Sequence, residues 1–185
     1  METREIEAKL INDCILGKRD AQFSLYRKYS GAMYNICRRM IIDEAEAEDI
    51  LQTSFMDVFT KLKMFKHEST PGAWIKRIVI NNCINHLRKQ KPIIQELDNK
   101  TDFVDDQGEE DIEYNVTSIR KAIDSLPEGY RVVFSLYAVE GYDHSEISEI
   151  LEITVSTSKS QYSRAKSKLY EILKSNGGLE RIYNS

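Results

Sequence analysis

Apolar residues recur at helical spacing through most of the chain, and the breaks between those runs predict a string of amphipathic helices. Residues 3–15 carry Ile6, Leu10 and Ile11 on one side, and Gly17 is placed to end that helix. Asp20 is a candidate cap for a longer helix whose stripe is rich in aromatics: Phe23, Tyr26, Tyr34 and either Ile36 or Cys37. The segment from Asp43 to Phe65 opens with Asp43, Glu44, Glu46, Glu48 and Asp49, carboxylates that suit the positive end of a helix dipole. Leu51, Phe55, Val58, Phe59, Leu62 and Phe65 then form a wide apolar face, while Gln52, Asp57 and Lys61 point elsewhere. Beyond the polar stretch 66–70, Thr70-Pro71 predicts another helix start, because a missing N–H is no loss at the first helical position. Ile75, Val79, Cys83 and Leu87, four apart, are its expected core face.

The last third follows a different plan. Asp143 and Glu146 are spaced as a capping box ahead of Ile147, Ile150 and Leu151. Glu152-Ile153 is long enough only for a turn, and Thr154 is a good cap for a second helix running to about Leu173. Two helices across one tight turn make a helix-turn-helix. On the second helix Val155, Ser158, Tyr162, Ala165, Leu169 and Ile172 share the face expected to pack on the first. The other face carries Ser156, Ser160, Ser163, Arg164 and Ser167, with Thr157 and Lys159 at its edges.

Charge gives two of these helices a chemistry. From Ile153 to Tyr170 there are four basic residues and no acidic one. Short hydroxyl side chains let a helix backbone come close to base edges in a DNA groove, while the cations take phosphates and set register. A solvated amphipathic helix is the ordinary alternative for such a charge pattern. The cap, the two-residue turn and the acid-free second helix together favour nucleic acid. From Ile75 to Lys91 there are five basic residues and again no acid, and Arg77, Asn81, Asn85 and Arg88 share one face. Trp74 stands at the head of that helix, where it either stacks on an unpaired base or is a core residue, the commoner use of tryptophan.

The net charge of −4 at first argues against a DNA-binding protein, but the deficit is local. Residues 1–91 hold 16 Lys and Arg against 12 Asp and Glu, residues 92–118 hold 1 against 9, and residues 119–185 hold 9 against 9. The stretch from Pro92 to Ser118 therefore reads as an acidic linker between two helical domains. No apolar run is long enough to span a bilayer, the first ten residues lack an apolar signal core, and a cytoplasmic protein is expected. Three cysteines, Cys14, Cys37 and Cys83, are odd in number and far apart, which argues against a disulfide framework. Cys83 and His86 lie three apart on one helix, but no second ligand pair accompanies them, so no metal or other cofactor is expected. No phosphate-binding glycine loop, HExxH or GxSxG is present, and no enzyme activity is expected.

The ordered set of motifs is specific where each alone is weak. EAEDILQTSF at 46–55, WIKRI at 74–78, NNCINHLRK at 81–89, LPE at 126–128 and the stretch from Glu146 to Arg164 resemble, in order and spacing, the extracytoplasmic-function class of bacterial RNA polymerase sigma factors. The resemblance covers most of the chain. It implies an all-α protein of two small helical domains: a region 2 domain at 1–91, an acidic linker at 92–114, and a region 4 domain with the helix-turn-helix at 115–185. No region 1 or region 3 domain is implied. The implied partners are core RNA polymerase, at its beta-prime clamp and beta flap, promoter DNA, and, by family habit, an anti-sigma factor; membrane insertion is not implied.

The resemblance also implies roles. Asp49, Gln52 and Phe55 would lie on the helix that docks on the clamp. The loop Lys66 to Thr70, with Lys66 and His67, would accept a flipped base of the melted promoter element, and Arg77, Asn81, Asn85 and Arg88 would contact the same element. Ser156, Thr157, Lys159, Ser160, Gln161 and Arg164 would read the upstream element in the major groove. The linker would thread the polymerase cleft. Glu152 stands where the family usually has glycine, Ser158 and Gln161 replace apolar and basic residues, and Asn85 replaces an aspartate. These departures bear on base preference more than on fold. The competing readings are a stand-alone helix-turn-helix regulator, which would need its own dimer interface, and a non-DNA-binding adaptor of an anti-sigma partner, which would be expected to lose Lys159, Arg164 and Lys166.

Overall fold

A computed structural model of the chain describes residues 2–90 and 116–175, and among these every regular element is helical. The chain divides into two compact units, Met1–Gln90 and Lys91–Ser185. The acidic stretch expected as a linker lies outside the described residues. Among the described residues no helix is long and apolar enough to cross a membrane.

The first unit contains α1 (Glu2–Ile15), α2 (Arg19–Met40), α3 (Glu44–Lys61) and α4 (Pro71–Gln90), with one 3-10 turn at Leu62–Met64. Helices α2, α3 and α4 pack on one another, and α1 lies against α2. Gly17, at φ +76°, ends α1 as its position suggests. Asp43 caps α3, accepting the Glu46 N–H at 2.9 Å. Thr70 caps α4, accepting the Ala73 N–H at 3.2 Å, with Pro71 as the first helical residue. Local capping chemistry thus sets both starts.

Two local expectations are corrected. Asp20 is not a cap: α2 begins at Arg19 after an uncapped Lys18, which leaves Asp20 in the first turn. The buried stripe of α2 is Leu25, Met33, Ile36, Cys37 and Met40, whereas Phe23 is 63% exposed and Tyr26 and Tyr34 are half-buried. The sequence carries two overlapping stripes, and close packing against α3 and α4 selects the aliphatic one. On α1, Ile11 is buried but Ile6 is exposed.

The second unit is built on α8 (Val155–Ser175), against which α5 (Val116–Asp124), α6 (Glu128–Phe134) and α7 (His144–Leu151) pack. The stretch 116–142, for which periodicity assigns no element, holds α5, α6 and a π-turn at Ser135–Val139. Val132, Val133 and Leu136 are all fully buried, and the polar Arg131 and Ser135 are buried beside them, which blurs the apolar stripe of α6 and the turn after it. The capping box of α7 is formed in full: Glu146 N–H donates to Asp143 Oδ1 at 2.8 Å and Asp143 N–H donates to Glu146 Oε2 at 2.9 Å.

The turn after α7 keeps its two-residue length, and Glu152 takes the left-handed conformation at φ +57°. That explains why glycine suits this place, since a Cβ in the left-handed region costs roughly 1–2 kcal/mol. Glu152→Gly should therefore stabilise the second unit by about 0.5–1 kcal/mol after glycine's extra unfolded-state entropy is offset. Hydrogen exchange at α7 and α8 amides would slow accordingly; faster exchange would show that Glu152 supports the turn in some other way.

Candidate nucleic-acid interface

In the first unit, packing fixes how α4 is turned about its own axis. Ile75, Val79, Ile80, Cys83, Ile84 and Leu87 are buried as a continuous apolar face. A polar seam runs beside it toward α3. Asn82 Nδ2 donates to Ser54 Oγ and to Asp57 Oδ2, both at 3.1 Å. His86 Nε2 lies 3.1 Å from Glu46 Oε2, and Gln90 Nε2 donates to Glu46 Oε1 at 3.0 Å. With those two sides engaged, Arg77, Asn81 and Asn85 are exposed and Arg88 is half-buried. The sequence offered no sign of the seam, because its partners lie on α3, far away along the chain. His86 is tied to Glu46, and the pKa of the buried Cys83 thiol is pushed up by its neighbour Cys37 and by burial.

The loop leading into α4 is braced by rings. The Phe65 centroid is 4.6 Å from His67 and 5.4 Å from Trp74, and His67 holds φ +59°. Lys66 and His67 are exposed, while Trp74 is half-buried against Phe65, between the two roles the sequence left open. Residues 67–71 and the α1 residues Glu7, Ala8 and Ile11 border an open cavity of about 390 Å³.

On α3, Asp49 and Gln52 are exposed, but Phe55 is 3% exposed and meets Tyr26 edge-on at 4.7 Å. The implied contact role of Phe55 is thus corrected: it is a core residue that supports the helix. Met56, 71% exposed and one turn beyond Gln52, continues the outward face and was missed. An apolar residue amid an apolar stripe gives no sign from sequence of which way it points.

In the second unit, Thr154 caps α8 by accepting the Thr157 N–H at 3.0 Å. Ser156 and Lys159 are exposed at the start of this helix, and Thr157, Ser160, Ser163 and Arg164 are half-buried. The packed face is Ser158, Gln161, Ala165 and Leu173, rotated from the expected one: Val155 is 39% exposed and Ile172 half-buried. Gln161, at 3% exposure, is therefore withdrawn from the groove-facing set. Its polar side chain suggested the surface, but its spacing from Ser158 and Ala165 places it inside.

Ser158 is fully buried because His144 satisfies it: His144 Nδ1 and Ser158 Oγ are 2.9 Å apart. The His144 ring stacks on Tyr137 at 4.3 Å, and Tyr137 meets Tyr162 at 4.4 Å. Burial and then the nearby Lys159 cation push the His144 pKa down. The π-turn, α7 and α8 are thereby joined through one ring cluster, which holds the start of α8 at a fixed angle to α7.

Comparison with known proteins agrees with this arrangement unit by unit. The sigma-70 region 2 family matches residues 25–93 and the sigma-70 region 4 family matches residues 117–169. The RNA polymerase sigma factor SigZ of Bacillus subtilis is 33% identical over 132 residues, covering 71% of this chain and 74% of SigZ. The ECF RNA polymerase sigma factor SigW of the same organism is 28% identical over 179 residues, covering 90% of this chain and 96% of SigW. The chain belongs to the extracytoplasmic-function class of the sigma-70 family. Among solved structures, the sigma factor RpoE of Bartonella quintana, crystallised with the anti-sigma factor NepR, has the same fold, with a TM-score of 0.56 at 23% identity over 85% of this chain and 97% of that one. In this sigma factor, α3 and α4 lie in region 2 and α2 crosses its start, and α5 to α8 fall within or across the limits of region 4.

Proposed function

We infer that the chain is a sigma factor that binds core RNA polymerase and directs it to promoters, reading the melted element with region 2 and the upstream element with the helix-turn-helix. The observation that carries this is the presence, in one chain and in family order, of two helical units that each turn an acid-free helix stretch outward. A stand-alone regulator has no use for the first of them, and an adaptor has no use for the cations of the second.

In this reading residues 1–91 and 115–185 are the two working domains and 92–114 tethers them. Asp49 and Gln52, extended by Met56, meet the beta-prime clamp, and region 4 meets the beta flap. Lys66, His67, Arg77, Asn81, Asn85 and Arg88 handle the melted strand. Ser156, Thr157, Lys159, Ser160 and Arg164 face the duplex groove. Each DNA contact is small, so affinity comes from joining both on the polymerase, where the second contact forms at high effective concentration. Nucleotide chemistry belongs to the polymerase. The protein acts in the cytoplasm, and an anti-sigma factor that covers these faces is its natural regulator.

Footprinting on promoter DNA tests the division of labour. Protection of two separate blocks is expected only with both the chain and core polymerase present. Gln52→Ala, on the exposed side of α3, should weaken binding to core by about five-fold without disturbing the fold. Protection by the chain alone, or unchanged core binding by Gln52→Ala together with Asp49→Ala, would speak for a stand-alone regulator.

A further inference from the structure

We propose that Glu7 of α1 selects the base held beside the 67–71 loop, favouring a base with an exocyclic amino group and rejecting thymine. The proposal rests on the reading of that loop as the acceptor of an extruded base and adds to it a residue from a helix outside the matched region 2 segment.

The cavity has two walls. One is residues 67–71; the other is α1, where Glu7 stands one turn before the fully buried Ile11, on the face that α1 turns toward its neighbours. Its carboxylate is fixed by α2. Lys28 Nζ donates to Glu7 Oε1 at 2.6 Å and Tyr29 OH donates to the same oxygen at 2.5 Å. Those bonds hold the carboxyl below its ordinary pKa, so it is ionised at neutral pH. Both fall on Oε1; among the described residues Oε2 accepts none. Tyr29 is itself placed by the start of α4: a Cβ at Gly72 would come within 3.0 Å of the Tyr29 ring, so glycine there allows the close approach. The wall carrying Glu7 and the wall carrying the loop are thereby held in register.

The result is an ionised acceptor, oriented by two donors and with one oxygen unengaged among the described residues, at the edge of a cavity large enough for a planar base. An extruded base presents its Watson–Crick edge. Cytosine, adenine and guanine each carry an amino group on that edge and can donate to Oε2. Thymine presents its N3–H between two carbonyl oxygens, which the carboxylate repels. A directed base contact of this kind discriminates by about ten-fold.

The test uses the full chain on core polymerase and a duplex library whose pre-melted non-template segment is randomised. Retained strands are sequenced for the wild type, Glu7→Gln and Tyr29→Phe. Glutamine keeps the length and still accepts from Lys28 and Tyr29, and unchanged Trp74 emission verifies the fold. Expected for the wild type is one single-stranded position at which thymine is depleted about ten-fold. Glu7→Gln should bring that position close to even while the others hold, and Tyr29→Phe should fall between. Thymine depletion that persists in Glu7→Gln, or relaxes equally at all positions, overturns the role of Glu7 alone. A wild-type complex that binds core polymerase yet shows no preference anywhere in the melted segment overturns the base-accepting role of the loop, and the proposal with it.

Discussion

Lys159→Glu should lower transcription from promoters that depend on the upstream element by about ten- to hundred-fold while the chain stays bound to core polymerase. Lys159 is exposed in the second turn of α8, in a stretch from Ile153 to Tyr170 that holds no acid. On the proposed reading, reversal there both removes a cation from the duplex-facing side and sets a carboxylate against phosphates. The same reversal at Lys168 is the control. Lys168, about two and a half turns further along, pairs with Glu171 at 2.9 Å, and an exposed pair of this kind contributes little. A run-off assay at several salt concentrations checks both, with the salt slope falling by about one for Lys159→Glu. Equal losses from the two reversals would mean that α8 is attracted by overall charge and does not read a groove.

The second large effect is on stability. Ile75 is fully buried on the core face of α4. Ile75→Ala should destabilise the first unit by about 2–5 kcal/mol, because the packed walls around it relax only in part. Trp74 is the only tryptophan in the chain and lies in this unit, so its emission reports this unit by itself. Its urea midpoint should fall by about 1–2 M. A midpoint unchanged within error would mean that α4 is not seated where Ile75 places it. Polymerase binding should fail in parallel, since α3 is held by the same core.

Much of this was legible in the sequence wherever the chemistry is local. Asp43, Thr70-Pro71, the Asp143–Glu146 box and Thr154 all mark helix starts that the structure reproduces, because a cap needs only its own turn. The outward set Arg77, Asn81 and Asn85 follows from four-residue spacing alone. What failed depends on partners distant along the chain. Phe55 and Gln161 were assigned to surfaces and are buried, the first by Tyr26 of α2 and the second by the helices that surround α8. The Asn82, His86 and Gln90 seam needs Glu46, Ser54 and Asp57 from α3. Residues 116–142 gave no element; around α6 the polar Arg131 and Ser135 are buried among Val132, Val133 and Leu136, which blurs the apolar stripe. Glu152 is the reverse case: the departure from glycine was visible, and the structure shows that the left-handed turn persists at φ +57° in spite of it.

The central claim is that this chain gives core polymerase its choice of start site. Transcription of fragmented genomic DNA by core polymerase, with and without the chain, followed by mapping of the 5′ ends, tests it directly. New discrete starts preceded by two shared sequence blocks are expected when the chain is added. Core binding without new starts would contradict the promoter-directing role and leave the adaptor reading in its place.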